Sequence, residues 1–461
     1  MRQILVSSLS LLSSLLAQDA GSSFGHARTR EAAALGKLPT PLEVAVADIV
    51  NYHRHRLPLP RADESVMLDV RASSRVLGPG DEVVVQFGYT TAPGDDRADL
   101  PPLNLALVID RSGSMEEAGK MRQVKAALRA FVDRLRPHDR VALVSYDSEA
   151  RLDAAGRELG DGRWLQDAIA RLEPGGATNL HGGLMLGLQE VSRAARPSSS
   201  NRVLLLTDGI ANRGETDPER ILAAASGFTT EGEIDLSTIG VGRNLDVALL
   251  DRLARGGRGL FHYVADGQDV QKVFVDEHEA LVAPVARRVD LRFELPDGLR
   301  LERVIGHDVE GHEGRYIVEL PNLNRGATGV VLAVCRVRGK ARAGERMADV
   351  RATLSYRSGA STNSVAALDE LRFVSEGGRP QRDPEVRKNY TIAVLAEGMH
   401  EMAKHGQRRQ WAAADRALQD ALAFARREFE TDDDRDVARV RAMATDYSRV
   451  LRRYVDRFRD M

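Results

Sequence analysis

Residues 103–284 alternate between short apolar segments and segments with helical periodicity, and this alternation constrains the fold more than any other feature. The apolar run at 103–110 is typical of a strand buried on both faces. Hydrophobic residues then recur at helical spacing from Met121 to Leu135. Four further strands are predicted at 141–146, 203–207, 234–241 and 260–264, and further helices near 163–172, 180–195, 217–228, 246–255 and 268–283. This succession predicts a doubly wound α/β domain with a mostly parallel sheet.

The segments on either side of this α/β region have the period-two pattern of β-strands. The alternation covers four segments, 66–72, 83–89, 289–295 and 348–356. We predict an antiparallel β-sandwich domain over 286–380. Two strands are too few to be stable alone, so we expect the β segment at 61–100 to pair with this later domain. The α/β domain, at 101–285, would then be inserted into a sandwich.

The two ends of the chain differ in character. Residues 1–20 combine a positive start with an apolar run too short to cross a bilayer, which predicts a secretory signal peptide. Residues 21–60 form an N-terminal extension, in which Thr40-Pro41-Leu42-Glu43 predicts a short helix over about 41–52. Residues 381–461 form a helical tail, with helices predicted at 385–404, 408–428 and 435–458. We expect an exported protein that is periplasmic, attached to the cell surface or secreted, with no transmembrane segment in the mature chain.

Charge and composition exclude several other classes of protein. The 65 Lys and Arg residues nearly balance the 67 Asp and Glu residues, which argues against a broad nucleic-acid surface. The single cysteine, Cys335, excludes an intrachain disulfide framework, and we expect it to be buried. His53 and His55 have no third ligand nearby in sequence, which favours a solvated turn over a metal site. His400 and His405 are five residues apart and point about 140° apart on a helix, so they do not match a zinc helix.

Side chains with oxygen donors are predicted to gather at the carboxyl ends of two strands. In a doubly wound sheet of order 3-2-1-4-5-6, strands 1 and 4 are neighbours, and ligands bind in the crevice at their carboxyl ends. With 103–110 as strand 1 and 203–207 as strand 4, five candidates lie near this crevice: Asp110, Ser112, Ser114, Thr178 and Asp208. Two carboxylates and three hydroxyls suit a hard cation such as Mg²⁺, Mn²⁺ or Ca²⁺ better than zinc or copper.

At these residues the sequence resembles the von Willebrand factor type A (VWA) domain family. The metal-ion-dependent adhesion site of that family has the form Asp-x-Ser-x-Ser, followed by a Thr and then an Asp. The resemblance covers about 103–284 and implies a Rossmann-like VWA domain. It also implies that the two serines and Thr178 are direct or near-direct ligands, and that the two aspartates often act through water. The flanking layout resembles exported bacterial proteins of the same family.

The resemblance implies a non-enzymatic, adhesion-type module that binds a protein in a divalent-cation-dependent manner. The metal would bridge to an acidic residue of the partner protein. An alternative is a regulatory or assembly subunit of a cell-envelope complex that docks through the helical tail. A metal-dependent hydrolase is the weakest hypothesis, because His181 is the one evident general base in the motif loops and it lies at a predicted helix start.

Overall fold

The computed structural model describes residues 37–459 except 79, 94–100, 243, 265–283, 339–348, 359–360, 370–371, 374–382 and 432. The predicted signal peptide, the extension up to residue 36 and the helix predicted at 268–283 lie outside the described residues. None of the helices that the structure describes is long and apolar enough to span a bilayer.

Eighteen strands and nine α-helices are found in the described part of the chain. The strands are β1 (Val66–Ala72), β2 (Val76–Leu77), β3 (Glu82–Thr91), β4 (Leu103–Asp110), β5 (Arg140–Tyr146), β6 (Ala150–Glu158), β7 (Ser200–Thr207), β8 (Asp235–Val241), β9 (Arg258–Val264), β10 (Pro284–Glu294), β11 (Leu299–Val304), β12 (Glu310–His312), β13 (Arg315–Leu320), β14 (Leu323–Asn324), β15 (Thr328–Val337), β16 (Val350–Ser358), β17 (Ser361–Asp369) and β18 (Arg372–Phe373). The helices are α1 (Val46–Val50), α2 (Lys120–Val132), α3 (Arg163–Ala170), α4 (Leu180–Ser192), α5 (Pro218–Ser226), α6 (Val247–Gly256), α7 (Pro384–Gln407), α8 (Trp411–Glu428) and α9 (Arg435–Arg459).

The α/β region forms a six-stranded sheet of order β6-β5-β4-β7-β8-β9. Numbered within the region, this is the predicted order 3-2-1-4-5-6, which confirms the doubly wound fold. The sheet is mixed because β6 runs antiparallel to β5, whereas the other neighbours are parallel. β6 was not predicted from the sequence, since its side chains are partly or fully exposed along the whole strand and carry no apolar alternation.

The central strand β4 is buried on both faces, which explains its apolar sequence. Leu105 and Leu107 pack into a core with α2 and α3 on one face. Ala106 and Val108 pack into a second core with α4, α5 and α6 on the other. The helices therefore hold the sheet from both sides, and the polar residues that follow β4 lie at the edge of this packed region.

Strands before and after the α/β region form two antiparallel sheets. One has the order β1-β3-β15-β11, and the other has the order β12-β13-β10-β16-β17, with β14 beside β10. The sheets share one hydrophobic core, in which the rings of Phe87 and Phe293 lie 4.6 Å apart. β3 bonds to β15 along its length. Cys335, on β15, is buried in this core, and burial raises the pKa of its thiol to about 12.

The strand β3 is also buried on both faces, because the helical tail covers the outer face of its sheet. Val83 and Val85 face the core between the two sheets, whereas Val84 packs against helices of the tail. The three tail helices begin and end within a few residues of their predicted bounds. The helix predicted over about 41–52 is split into a 3₁₀ turn (Pro41–Glu43) and α1, because the backbone at Val44 is not helical.

Polar contacts join the α/β domain to the neighbouring sheets. Asn322 Nδ2 donates to Asp235 Oδ2 over 2.8 Å, and Arg288 Nη2 donates to the carbonyl of Thr229 over 3.0 Å. Arg258 forms an ion pair with Asp290. Hydrogen bonds and charges therefore contribute to this boundary, whereas the contact between the tail and β3 combines apolar packing with hydrogen bonds such as that from Asn389 to Gln86.

His53 and His55 lie in a buried polar cluster between the N-terminal segment and α7. Their side chains are not in the solvated turn that we predicted. His53 Nε2 lies 3.1 Å from Asn389 Oδ1, and His55 Nε2 lies 3.0 Å from Asn51 Oδ1. Burial lowers the pKa of both imidazoles, and the nearby charge of Lys388 lowers them further. The folded protein therefore favours the neutral form of both imidazoles.

Acid should destabilise the fold through these two histidines. Each has a pKa below 6.5 in the folded state and near 6.5 when unfolded, so below about pH 6.5 the unfolded chain binds protons that the native state does not. The free energy of unfolding should then fall by up to about 1.4 kcal/mol per pH unit for each histidine. Urea unfolding over this pH range measures the slope. The double variant His53→Gln/His55→Gln should flatten it, whereas the exposed control His138→Gln should not; an unchanged slope in the double variant contradicts the prediction.

Candidate metal centre

Asp110, the last residue of β4, is fully buried. Its Oδ1 accepts the backbone N–H of Ser112 over 2.8 Å, and its Oδ2 accepts the hydroxyl of Thr207 over 2.7 Å. Burial raises the pKa of this carboxyl to about 6, although both hydrogen bonds act in the opposite direction. Within the described residues no basic side chain forms an ion pair with Asp110, so its charge is held by hydrogen bonds alone.

Three further side chains form a chain of hydrogen bonds beside Asp110. Ser112 Oγ lies 3.1 Å from Ser114 Oγ, and Ser114 Oγ donates to Asp208 Oδ1 over 2.7 Å. The carboxylate of Asp208 is fully buried, and its Oδ2 accepts the ammonium of Lys120 over 2.7 Å. The ends of β4 and β7 therefore carry two carboxylates and two hydroxyls in one connected group.

The fifth candidate, Thr178, is brought to this group by its loop. Gly113 donates its N–H to the carbonyl of Gly176 over 3.2 Å, so the loop after β4 is bonded to the loop before α4. A β-carbon built on Gly209 would lie 3.5 Å from Thr178 Oγ1 and 4.0 Å from Ser114 Oγ. Glycine at position 209 keeps this space between the hydroxyls open. All five residues singled out in the sequence thus converge at the carboxyl ends of β4 and β7.

Backbone and side-chain contacts fix the Thr178 loop. Asn212 Oδ1 accepts the N–H of Thr178 over 2.8 Å, and Asn212 donates its own N–H to the carbonyl of Thr178 over 3.1 Å. Gly176 has φ +77°, which a side chain would strain. Arg111 forms an ion pair of 2.6 Å with Asp147, the first residue after β5. These contacts hold the loops from three strand ends in one arrangement.

Three further residues support this group and were not predicted from the sequence. Thr207 immediately precedes Asp208. In the sequence it looks like any other threonine of a buried strand, so its hydroxyl contact with Asp110 could not be predicted. Lys120 and Asn212 lie outside the motif, at the start of α2 and four residues after Asp208. Their roles depend on the loop conformations that bring them back to the site, which no local pattern encodes.

The donor atoms fit a hard divalent cation. All five side chains offer oxygen, and the two carboxylates supply negative charge in a buried setting, where an uncompensated charge is costly. No group of three or more His, Cys, Asp or Glu residues suited to a metal occurs among the residues that the structure describes. A cation here would therefore depend on serine and threonine hydroxyls as well as aspartates, which favours Mg²⁺, Mn²⁺ or Ca²⁺ over zinc or copper.

Two features define the class of protein. The sheet is Rossmann-like, and side chains with oxygen donors gather at the point where its strand order reverses. Residues 104–276 match the von Willebrand factor type A domain family. The structure also resembles a solved von Willebrand factor type A protein from Catenulispora acidiphila, with a TM-score of 0.61 and 15% identity over 85% of this chain and 98% of that one. The chain therefore contains a VWA domain.

Bacterial proteins are among its relatives. The Escherichia coli protein YfbK is 29% identical over 298 residues, which are 63% of this chain and 51% of YfbK. The Synechocystis protein sll0103 is 30% identical over 183 residues, 40% of this chain and 42% of that protein. An animal protein, inter-alpha-trypsin inhibitor heavy chain H1 from Mesocricetus auratus, is 29% identical over 41% of this chain and 21% of its own length. The chain thus spans about half or less of the length of these relatives.

Removing the Thr207 hydroxyl should weaken cation binding without disrupting the sheet. Thr207→Val deletes the hydrogen bond that orients the buried Asp110 carboxylate, and loss of such a supporting contact typically costs about 10–100-fold in metal affinity. Titration calorimetry with Mn²⁺ measures the change. Thr238→Val is a matched control, because Thr238 is a buried threonine on the neighbouring strand β8 that bonds to the carbonyl of Leu250. Equal Mn²⁺ affinities for the two variants would show that Thr207 does not support the site.

Proposed function

We propose that this chain is a divalent-cation-dependent, adhesion-type protein-binding module. Five residues would hold Mg²⁺, Mn²⁺ or Ca²⁺: Asp110, Ser112, Ser114, Thr178 and Asp208. The observation that carries the proposal is the convergence of these five oxygen donors around buried carboxylates, at the place where doubly wound sheets bind ligands. VWA domains commonly mediate protein–protein interaction, which agrees with this use of the site.

A bound cation would supply a hard positive charge to which a carboxylate of the partner protein can coordinate. The residues of this chain would do the rest: the serine and threonine hydroxyls orient the cation, and the aspartates balance its charge. Ile210, two residues after Asp208, is an exposed large hydrophobic side chain, at 47% exposure. One exposed apolar side chain is ordinary on a protein surface, so Ile210 would add an apolar contact to a partner held at the cation but does not by itself mark the binding surface.

We also propose that the module is non-enzymatic. Ser112 and Ser114 contact each other and Asp208, and no histidine hydrogen-bonds to either hydroxyl among the described residues. His181 lies in the first turn of α4, where Asn179 caps the helix. Within the described residues, neither serine therefore has the neighbouring histidine that commonly activates a serine nucleophile.

The domain division and the location of the protein are proposals from the sequence. The pairing of β3 with β15 supports an α/β domain at 101–285 set between the two parts of a sandwich. We propose that the chain is exported on the basis of its first twenty residues, and that it acts in the periplasm, at the cell surface or after secretion. Its partner would then be an extracytoplasmic protein that presents an acidic residue.

Asp208→Asn should abolish most of the cation affinity, because it removes one of the two site carboxylates while keeping the side-chain shape. We expect Mg²⁺ binding to weaken by about tenfold or more in titration calorimetry. Asp161→Asn is the control, since Asp161 is an exposed aspartate of the same domain. Asp208→Asn that binds Mg²⁺ as the parent does would overturn the assignment.

A capture experiment then tests the use of the site. Partner proteins retained from an envelope extract should be released by chelator and should not bind the Asp208→Asn variant. Capture that survives chelator and instead requires residues 381–461 would contradict the proposal. That result would favour an assembly subunit that docks through the helical tail.

A further inference from the structure

Lys120 places a positive charge inside the candidate metal centre. Its Nζ lies 2.7 Å from Asp208 Oδ2 and 3.3 Å from the carbonyl oxygen of Ser114. The lysine side chain is only 16% exposed, and that of Asp208 is fully buried. A second acidic group, the exposed Glu117, lies 3.6 Å from the same ammonium. The lysine is thus part of the buried oxygen-rich group rather than a surface charge nearby.

The position of Lys120 is not explained by the stability of its own helix. It is the first residue of α2, where the positive end of the helix dipole disfavours a cation. The chain reaches this position through two left-handed residues, Ala118 with φ +52° and Gly119 with φ +70°. A β-carbon built on Gly242, after β8, would lie 3.7 Å from the ammonium. The left-handed turn therefore brings the Lys120 ammonium beside Asp208, where it also lies close to Gly242.

The charges of the group show what this lysine does. Glu117 is 75% exposed, so solvent screens its charge, and the balance is set by the more buried groups. Asp110, Asp208 and Lys120 together carry a formal charge of −1 at neutral pH, which a divalent cation would convert to +1. A carboxylate brought by a partner would then neutralise the site. Without the lysine, the two aspartates alone would neutralise the divalent cation and leave no charge for an acidic ligand. The cation and the ammonium also repel each other over a short distance in a buried setting.

We propose that Lys120 is the charge-balancing residue of the cation site. It competes with a divalent cation for Asp208, and it makes tight cation binding depend on an acidic ligand. Because coupling between two ligands is reciprocal, the same residue strengthens the binding of the acidic ligand when the cation is present. Glu117 offers the displaced ammonium a second partner. This inference rests on the proposed function, since it specifies how the same site responds to its ligands.

Lys120→Met tests the competition, because it removes the charge and keeps most of the side-chain length. We expect this variant to bind Mn²⁺ about tenfold or more tightly than the parent in chloride buffer, which corresponds to about 1.4 kcal/mol. Lys125→Met is the matched control. Lys125 lies on the same helix, and its ammonium bonds to the carbonyl of Ala170, away from the site. The control should bind Mn²⁺ as the parent does, and Lys120→Arg, which keeps the charge, should stay close to the parent.

Acetate serves as the probe for the acidic ligand. Replacing chloride by acetate at equal ionic strength should tighten Mn²⁺ binding to the parent and to Lys125→Met. It should have little effect on Lys120→Met, because in that variant the two aspartates already neutralise the bound Mn²⁺ and no positive charge remains to attract acetate. The weak association of Mn²⁺ with acetate in solution is the same for all three proteins and cancels in the comparison.

A labelling experiment on the parent protein avoids any dependence on how the variants fold. Saturating Mg²⁺ should increase the rate at which an amine-acetylating reagent modifies Lys120, since the displaced ammonium leaves its buried partner, and should leave the rate at Lys125 unchanged. Unchanged labelling of Lys120, or equal Mn²⁺ affinities for the parent and Lys120→Met, would overturn the inference. The proposed function survives those results as long as the parent binds the cation. Failure of both the parent and Lys120→Met to bind Mn²⁺ would overturn the proposed function and the inference with it.

Discussion

Parallel pairing of β4 with β7 is the constraint on which the site depends. The register sets Ile109 beside Leu206, so Asp110 and Thr207 end their strands at the same level and bond to each other. The chain leaves β4 towards α2 on one side and enters β7 after α4 on the other, so loops from opposite faces of the sheet meet above this pair. A different register would separate the carboxylates of Asp110 and Asp208, and the serine and threonine hydroxyls would no longer lie beside both of them.

Because the paired strand ends are buried, the charges of the two aspartates need compensation. Asp110 and Asp208 are both inside the protein, where a negative charge is costly unless hydrogen bonds or a cation compensate it. The fold provides hydroxyl and N–H donors for Asp110 and an ammonium for Asp208. The two aspartates are therefore not equivalent, although the motif presents them as a pair. One is oriented by neutral donors, and the other is already partnered by a charge.

Much of the architecture was predictable, because strong local patterns encode it. The strand order, the five converging side chains and the three tail helices follow from buried apolar runs, helical periodicity and the rule for strand ends. β6 was not predictable, since a half-exposed edge strand lacks alternation. The burial of His53 and His55 depends on Asn389, more than 300 residues away along the chain. Lys120 was missed for a similar reason, because left-handed turns, rather than a sequence motif, direct it to Asp208.

The pairing of β3 with β15 has a mechanical consequence. Because it joins strands from before and after the α/β domain into one sheet, that domain is connected to the sandwich twice, after β3 and before β10. Tension between a ligand held at the metal centre and the tail packed on β3 would be shared by these two connections. The pull would therefore act on β3 and β10, which belong to the two sheets that share one hydrophobic core. A cut in one connection would leave the α/β domain attached through the other, whereas a domain on a single linker would be released.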